Sequence, residues 1–441
     1  MHNMPRHRPG KTYQTIETAI HIVSHQDIGL EVSNQRSRCD EHGEQIVKTE
    51  GKISRPKEVR QYSRGGQSAL LDRVRKLLVL DTLEERVRQD FVNRLIDQQK
   101  FPATIIDTEY PLGRTPVGKK EGSKERADVI VWERPNRKAL LLAEIKSPNI
   151  SLDDDKTLDQ VMRYQKLLHA RYLVITNGTE TRSYMVKRSC PVQISNDLKH
   201  SDLKSYCHQG DEGDEGIRRL SYSDITNKAY LSKLKDKSAV IGVDTPEDLH
   251  PIISELDNFL LCHEFRSHFP VEHYGISILE DLGYSDRKYG NASGGSWPGL
   301  YRGFLVRDLQ GDHQTYWMSI MPTRKTRDDP KYGNRKGRTT LLVAVDDFDL
   351  KKHNALQMCL DTSLCRNRNS YRLTHVGRKS GIPNAEVLCK VRSLAPHLLT
   401  GDSSQIDLGK VVSGRSLSWE SFGPTLLNIL LYAAIRESMK K

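Results

Sequence analysis

The run ADVIVWERPNRKALLLAEIK, Ala127–Lys146, is among the most apolar stretches of a polar chain, yet an aspartate stands at its start and Glu-Ile-Lys at its end. Two apolar segments, 128–133 and 139–146, flank Pro135-Asn136-Arg137, so the run reads as a β-hairpin. With symmetry about Asn136, residue i faces residue 272 − i: Trp132 faces Leu140, Ile130 faces Leu142, and Asp128 faces Glu144. Directly opposed strand side chains have Cβ atoms roughly 4.5–5.5 Å apart, where like charges repel. Because side chains alternate along a strand, Lys146 projects with Glu144 and Ile145 points away.

Two carboxylates held beside an apolar sheet are costly unless a proton or a cation sits between them. Hard oxygen ligands with room for water suit magnesium, with manganese as a substitute, and the main-chain carbonyl of Ile145 would be a third ligand beside Asp128 and Glu144. A metal there polarises a phosphoryl oxygen and acidifies a bound water, and Lys146 can orient that water or neutralise charge on phosphate. The plain alternative is that Asp128, Glu144 and Lys146 are solvated strand ends. Their joint placement at one end of one apolar face weighs towards phosphodiester hydrolysis.

Working outward, the pattern from Ala69 to Gln99 reads as helical, with Leu83, Val87, Phe91 and Leu95 recurring every four residues behind a capping box at Asp81-Thr-Leu-Glu84. Strand-like runs are expected at 103–110, 128–133 and 139–146, then a helix over 154–169, a strand at Tyr172–Thr176, a turn at Asn177-Gly178 and a return strand through Val186. Alternating strands and helices make this part α/β.

Asp128 followed by Glu144-Ile145-Lys146 on the next strand resembles the PD-(D/E)xK nuclease signature, with Ala127 where that family often has proline. More narrowly, residues 84–184 resemble the N-terminal nuclease domain of type I restriction enzyme HsdR subunits, through Glu85-Arg-Val-Arg-Gln89, Gln160-Val-Met-Arg-Tyr164 and Tyr172-Leu-Val-Ile-Thr-Asn-Gly178. The resemblance implies a restriction-endonuclease-like core, a mixed sheet flanked by helices. It also implies that Asp128 and Glu144 bind metal, that Lys146 serves the attacking water, that Glu85 adds an acid, and that Gln160 and Tyr164 position the site or the nucleic acid. Glu84 competes with Glu85 for that role, or pairs with Asp81 in the capping box.

Gly113-Arg-Thr-Pro-Val-Gly-Lys-Lys120 nearly spells a phosphate-binding loop, but it lacks the final hydroxyl residue, and 121–124 are expected to lead into a strand instead of a helix. Arg114, Lys119, Lys120, Lys124 and Arg126 are read instead as nucleic-acid backbone contacts or as a solvated hairpin. No other nucleotide-binding motif is found, so the motor of complete HsdR subunits is expected to be absent and a separate recognition or motor subunit is a candidate partner.

The chain divides, on this reading, into a polar extension (1–65), the nuclease domain (66–200), a linker or exposed loops (201–244, including the acidic, Gly-punctuated 201–216) and a C-terminal α+β domain (245–441). In the last, Thr245-Pro246 opens a helix to about Cys262, strands are expected near 300–307, 315–321 and 340–346, and an apolar helix closes the chain from Pro424 to Arg436. His263, His268 and His273 are spaced wrongly for a helical metal pair and read as surface residues. Between two strands lies a basic loop carrying Arg324, Lys325, Arg327, Arg335, Lys336 and Arg338, which either grips phosphates or is simply solvated.

With 441 residues, 36% of them hydrophobic, and no run near the roughly 18 apolar residues a membrane span needs, a soluble cytoplasmic protein is expected. Seven cysteines without a Cys-x-x-Cys pair argue for reduced thiols rather than a zinc site. The net charge of +11 suits a polyanionic partner. The expected function is a magnesium-dependent endonuclease cutting DNA, in restriction or defence against foreign DNA. The alternatives are an inactive nuclease-fold module that binds nucleic acid, or a nuclease acting on RNA or branched DNA.

Overall fold

Gly65 and Gly66, both at positive φ (54° and 75°), turn the chain between β1 (Gln61–Arg64) and β2 (Gln67–Asp72), the backbone that a two-residue hairpin needs. The Asp72 carboxylate then accepts from the N–H of Val74 and Arg75 at 2.9 and 2.7 Å, and β3 (Leu77–Leu80) returns along β2. The expectation of a helix from Ala69 is therefore corrected: 67–80 is a hairpin, and α1 spans Leu83–Asn93. Ala69 and Leu78 are buried against Tyr289, Tyr301 and Trp317, and that remote partner outweighs the local pattern. The cap also shifts by one residue. Thr82 Oγ1 accepts from Glu85 N–H at 3.1 Å, while the Asp81 carboxylate is taken by Arg86 and Ser68.

The computed structural model describes residues 60–121, 124–133, 138–153, 155–194, 219–235, 239–261, 266–290, 295–346 and 352–439. The expected linker at 201–216, the hairpin loop Pro135–Arg137, His263, Cys262 and almost all of the polar extension lie outside them. All the described residues fall in one compact unit, Ser54–Lys441.

A mixed six-stranded sheet has the order β4-β5-β6-β7-β8-β9, made of Ile106–Pro111, Arg126–Glu133, Lys138–Ile145, Tyr172–Thr176, Thr181–Lys187 and Cys190–Ile194. Only β6 and β7 are parallel, joined through α3 (Asp155–Leu168), since a parallel pair needs a crossover. A short helix, α2 (Pro116–Glu121), lies between β4 and β5. On one face, Val129, Val131, Ala143 and Ile145 pack with Val87 and Phe91 of α1 and with Leu95 of the π-helical turn Arg94–Gln98 that continues it. On the other, Ile130, Leu142, Leu173 and Ile175 pack with Val161, Tyr164 and Leu168 of α3. Burial on both faces explains why β5 and β6 are apolar almost without alternation.

The register of β5 on β6 follows the expected one for Val129↔Ala143, Ile130↔Leu142 and Val131↔Leu141. A bulge between Val131 and Trp132 then sets Trp132 against Ala139, not Leu140. Its indole N–H donates to Asp107 Oδ2 at 2.7 Å, a bond to β4 that the hairpin alone could not reveal.

The second large sheet is antiparallel, with the order β10-β11-β12-β13-β16-β17, made of Val271–His273, Ile276–Gly290, Ser296–Arg307, His313–Pro322, Thr339–Asp346 and Lys352–Cys359. The hairpin β14 (Thr326–Asp329) and β15 (Gly333–Arg335) projects between β13 and β16. A three-stranded sheet follows, β18 (Leu364–Asn367), β19 (Ser370–His375) and β20 (Ile406–Val412). Helices His250–Leu261 and Trp419–Ser438 cover one face, with Leu256, Phe259, Leu426 and Leu430 against Phe304, Tyr316 and Val343. The final helix starts five residues before Pro424, at Trp419, behind a Ser418–Ser421 capping box. Pro246 precedes a 3₁₀ turn, Glu247–Leu249, rather than opening the α-helix itself. Among the described residues no helix is long and apolar enough to cross a membrane.

Candidate active site

Asp128 and Glu144 stand near the paired ends of β5 and β6, with Ala127 and Ile145 the apolar residues beyond them in those strands. Extending the observed register places them opposite each other, and the negative charge of Asp128 acts on Glu144. One Asp128 oxygen, Oδ2, accepts from Ile145 N–H at 2.7 Å, and the other, Oδ1, accepts from Arg88 Nη2 at 2.8 Å. Lys146 Nζ donates to Glu144 Oε1 at 2.7 Å and to Gln160 Oε1 at 3.2 Å. Gln160 in turn donates through Nε2 to the Tyr164 hydroxyl at 3.0 Å, one turn along α3. Glu144, Lys146, Gln160 and Tyr164 thus form one connected chain of polar groups.

Glu85 joins through Arg88. The guanidinium donates to Glu85 and lies 3.0 Å from Glu84 Oε1 and 3.1 Å from Glu109 Oε1. Arg88 and Glu109 are site residues that sequence reading did not find. Arg88 sits three residues after Glu85 on the same helix face, a signal that was present but gave no reason to choose it. Glu109 was hidden in the tertiary register: Thr108 pairs with Val129 and Tyr110 with Ala127, so Glu109 falls across from Asp128. Its φ of +52°, costly for a residue with a Cβ, marks local strain at this edge of the site.

The electrostatics follow from burial. Desolvation raises Asp128 above the ordinary carboxylate range against the pull of Arg88. Desolvation, then the charge of Asp128, pushes Glu144 up to about 7 in spite of Lys146. Glu85 is also raised, mainly by burial. The five carboxylates of Asp128, Glu144, Glu84, Glu85 and Glu109 meet two inner cations, Arg88 and Lys146, while Arg75 lies 4.0 Å from Glu85 and Arg126 3.3 Å from Glu109 at the edge of the cluster.

Among the described residues, no three His, Cys, Asp or Glu side chains are arranged as a metal-binding group. The Ile145 side chain is in the core facing α1 and its N–H is spent on Asp128. Of the expected backbone contacts, Arg114, Lys119, Lys124 and Arg126 are exposed, and Arg126 lies 3.3 Å from Glu109 Oε2. The side chain of Lys120 lies outside the described ones. Gly118 of the phosphate-loop look-alike is on α2, where an added Cβ would stand 2.1 Å from the Leu112 carbonyl oxygen, so close packing explains that glycine. A short helix thus occupies 116–121 ahead of the strand expected there. The second basic group is separate from the acids. Arg324, Lys325, Arg327 and Lys336 are exposed around β14 and β15, Lys325 pairs with Asp244 at 2.6 Å, Arg335 lies over the Tyr332 ring at 4.4 Å, and Arg338 is half-buried.

Two acids on adjacent strands, a lysine two residues beyond the second, and a Gln and Tyr one turn apart on the following helix are thus together in space. Residues 83–198 match the family of the type I restriction enzyme R protein N terminus (HSDR_N). The HSDR_N match covers about a quarter of the chain, from the start of α1 to just beyond β9, and contains every acid and cation of the cluster. The resemblance to the HsdR N-terminal domain read from the residues is therefore supported by the family itself. Searches of curated proteins and of solved structures found no match to the chain.

Proposed function

We propose that the protein is a metal-dependent endonuclease that hydrolyses DNA phosphodiester bonds in restriction or defence against foreign DNA, on a restriction-endonuclease-like core. The observation that carries this reading is the convergence of Asp128, Glu144 and Lys146 on one buried site inside the HSDR_N-matching segment. Asp128 and Glu144 offer hard carboxylate oxygens on adjacent strands, and burial together with the charge of Asp128 raises Glu144, so a magnesium or manganese ion suits their chemistry. Such an ion, when bound, supplies Lewis acidity toward phosphate and an acidified water. Lys146, held by Glu144 and Gln160, presents an ammonium group to orient the attacking water and offset charge gathering on the phosphate. Gln160 and Tyr164 keep that ammonium in place. A separate recognition or motor chain as partner and a cytoplasmic setting belong to the same proposal.

A second reading, an inactive module that binds nucleic acid, is favoured by the Arg88 guanidinium on Asp128, a contact that satisfies the acid without metal. Plasmid, linear duplex, single-stranded DNA and RNA incubated with magnesium, manganese or EDTA separate the readings. The nuclease cuts DNA only with metal and loses cutting on Glu144→Ala and Lys146→Ala. Binding without cutting in every metal supports the inactive module, and cutting that survives both substitutions removes the proposed site.

A further inference from the structure

A cleft of about 640 Å³ lies between the mixed sheet and the second large sheet, and it opens beside the acidic cluster. Its lining includes Arg75, Arg114, Arg126, Arg287 and Lys288. Three acids also line it: Asp107 accepts from Trp132, Glu109 is engaged by Arg88 and Arg126, and Asp286 is exposed beside Arg287 and Lys288, so five basic residues face three acids. Glu109 is also the link to the site, since its carboxylate touches Arg126 in the cleft and Arg88, which holds Asp128. The cavity next to it, about 780 Å³ and sharing Val74, Asp107, Ser285 and Asp286, has no such surplus, because Glu280 and Asp281 line it beside Arg73, Lys76 and Arg266.

The walls are fastened together. Arg287 donates to the Arg75 carbonyl and to Asp346 Oδ2 at 3.0 Å, and Lys76 Nζ donates to the Tyr284 carbonyl at 3.1 Å. The turn between β2 and β3 is thereby pinned to β11, and the cleft needs no rearrangement to exist. At its rim, Arg114 from the 3₁₀ turn after β4, Arg126 from β5 and Lys288 from β11 are all exposed. Arg114 lies 5.9 Å over the Tyr110 ring, which keeps the guanidinium at the mouth.

We propose that β11 of the second sheet forms one wall of the substrate cleft, with Lys288 and Arg114 gripping the phosphate backbone of duplex DNA on its way to Asp128 and Glu144. This rests on the nuclease reading and gives the second sheet a part in the same site. A fixed cationic wall opposite the first sheet raises affinity without reading bases, because phosphate contacts position a duplex and release counterions.

The test uses the full chain with calcium in place of magnesium and a fluorescently labelled duplex, its anisotropy titrated across a salt series. Lys288→Ala and Arg114→Ala are each expected to reduce the slope of log affinity against log salt by about one, and the double variant by about two. Lys410→Ala, an exposed lysine on β20 that does not line the cleft, is expected to leave the slope unchanged. Thermal melting confirms that each variant is folded. An unchanged slope for Lys288→Ala, or an equal fall for Lys410→Ala, overturns the wall while leaving the nuclease reading in place. Absence of salt-dependent DNA binding by the unaltered protein overturns both.

Discussion

Arg88 Nη2 donates to Asp128 Oδ1 at 2.8 Å across 40 residues of sequence, tying α1 to the end of β5. The same guanidinium serves Glu84, Glu85 and Glu109, so one buried cation holds four carboxylates. Arg88→Ala leaves buried Asp128 without its cation and is expected to cost about 3–5 kcal/mol of stability in urea unfolding. Asp128→Asn in the same background should recover part of it. A loss under about 1 kcal/mol, the range of an exposed pair, would show that solvent replaces the guanidinium without difficulty.

Glu144 gives the EDTA-treated protein a signed pH dependence. Its folded pKa, pushed to about 7 by burial and by Asp128, exceeds that of an exposed carboxyl, so the folded state holds a proton that the unfolded state has released. That contribution is complete at acid pH and is lost as pH rises through about 7. Glu144→Gln is therefore expected to raise the melting temperature at pH 8 and to leave it nearly unchanged at pH 4. A variant equally stabilised at both pH values would refute the assignment.

Gln160 joins Lys146 to the Tyr164 hydroxyl. Gln160→Ala should lower the cleavage rate about tenfold, the effect of roughly 1.4 kcal/mol at the transition state, while leaving the melting-temperature gain from added manganese intact. Gln160→Glu, which keeps the acceptor, should restore more of the rate than alanine. Loss of the manganese response with the rate would place Gln160 among the ion's own ligands instead.

Far from this site, His375 Nδ1 accepts from Gly377 N–H at 3.1 Å and lies 2.8 Å from the Tyr432 hydroxyl. Burial, then the charge of Arg436, lowers its pKa to about 4. A depressed histidine lends stability that is fully present above the unfolded value near 6.5 and is lost as pH falls towards 4, roughly 3 kcal/mol in all at about 1.4 kcal/mol per unit. Urea midpoints between pH 7 and 4 should fall more steeply for the unaltered protein than for His375→Gln. Parallel curves would mean that the imidazole is reached by water.

Much of the first sheet was legible because its signals are local. The four-residue recurrence of Val87, Phe91 and Leu95 marks a helix face, Asn177-Gly178 marks a turn, and the apolar pattern of β5 and β6 sets a register that held from Val129 to Val131. That register is enough to bring Asp128, Glu144 and Lys146 to one end of the sheet, and helical spacing puts Gln160 and Tyr164 on one face. The hairpin at 67–80 was not legible, because the partners that favour strand over helix are Tyr289, Tyr301 and Trp317, more than 200 residues away.

The chain by itself therefore determined which residues can share a strand face or a helix turn, since alternation and helical pitch depend only on neighbours. Tertiary structure decided the long-range counterions, the pairing of Arg88 with Asp128 and Glu109. Whether Thr82 or Asp81 caps α1 depends on the bond from Ser68 of β2 to Asp81, while the Trp132 bond to Asp107 and the meeting of Arg88 with Glu109 and Asp128 depend on how β4 and α1 dock on β5. The reason is physical: a charged side chain takes the nearest opposite charge that burial leaves it, and for Asp128 that neighbour is Arg88, 40 residues away and brought near by packing.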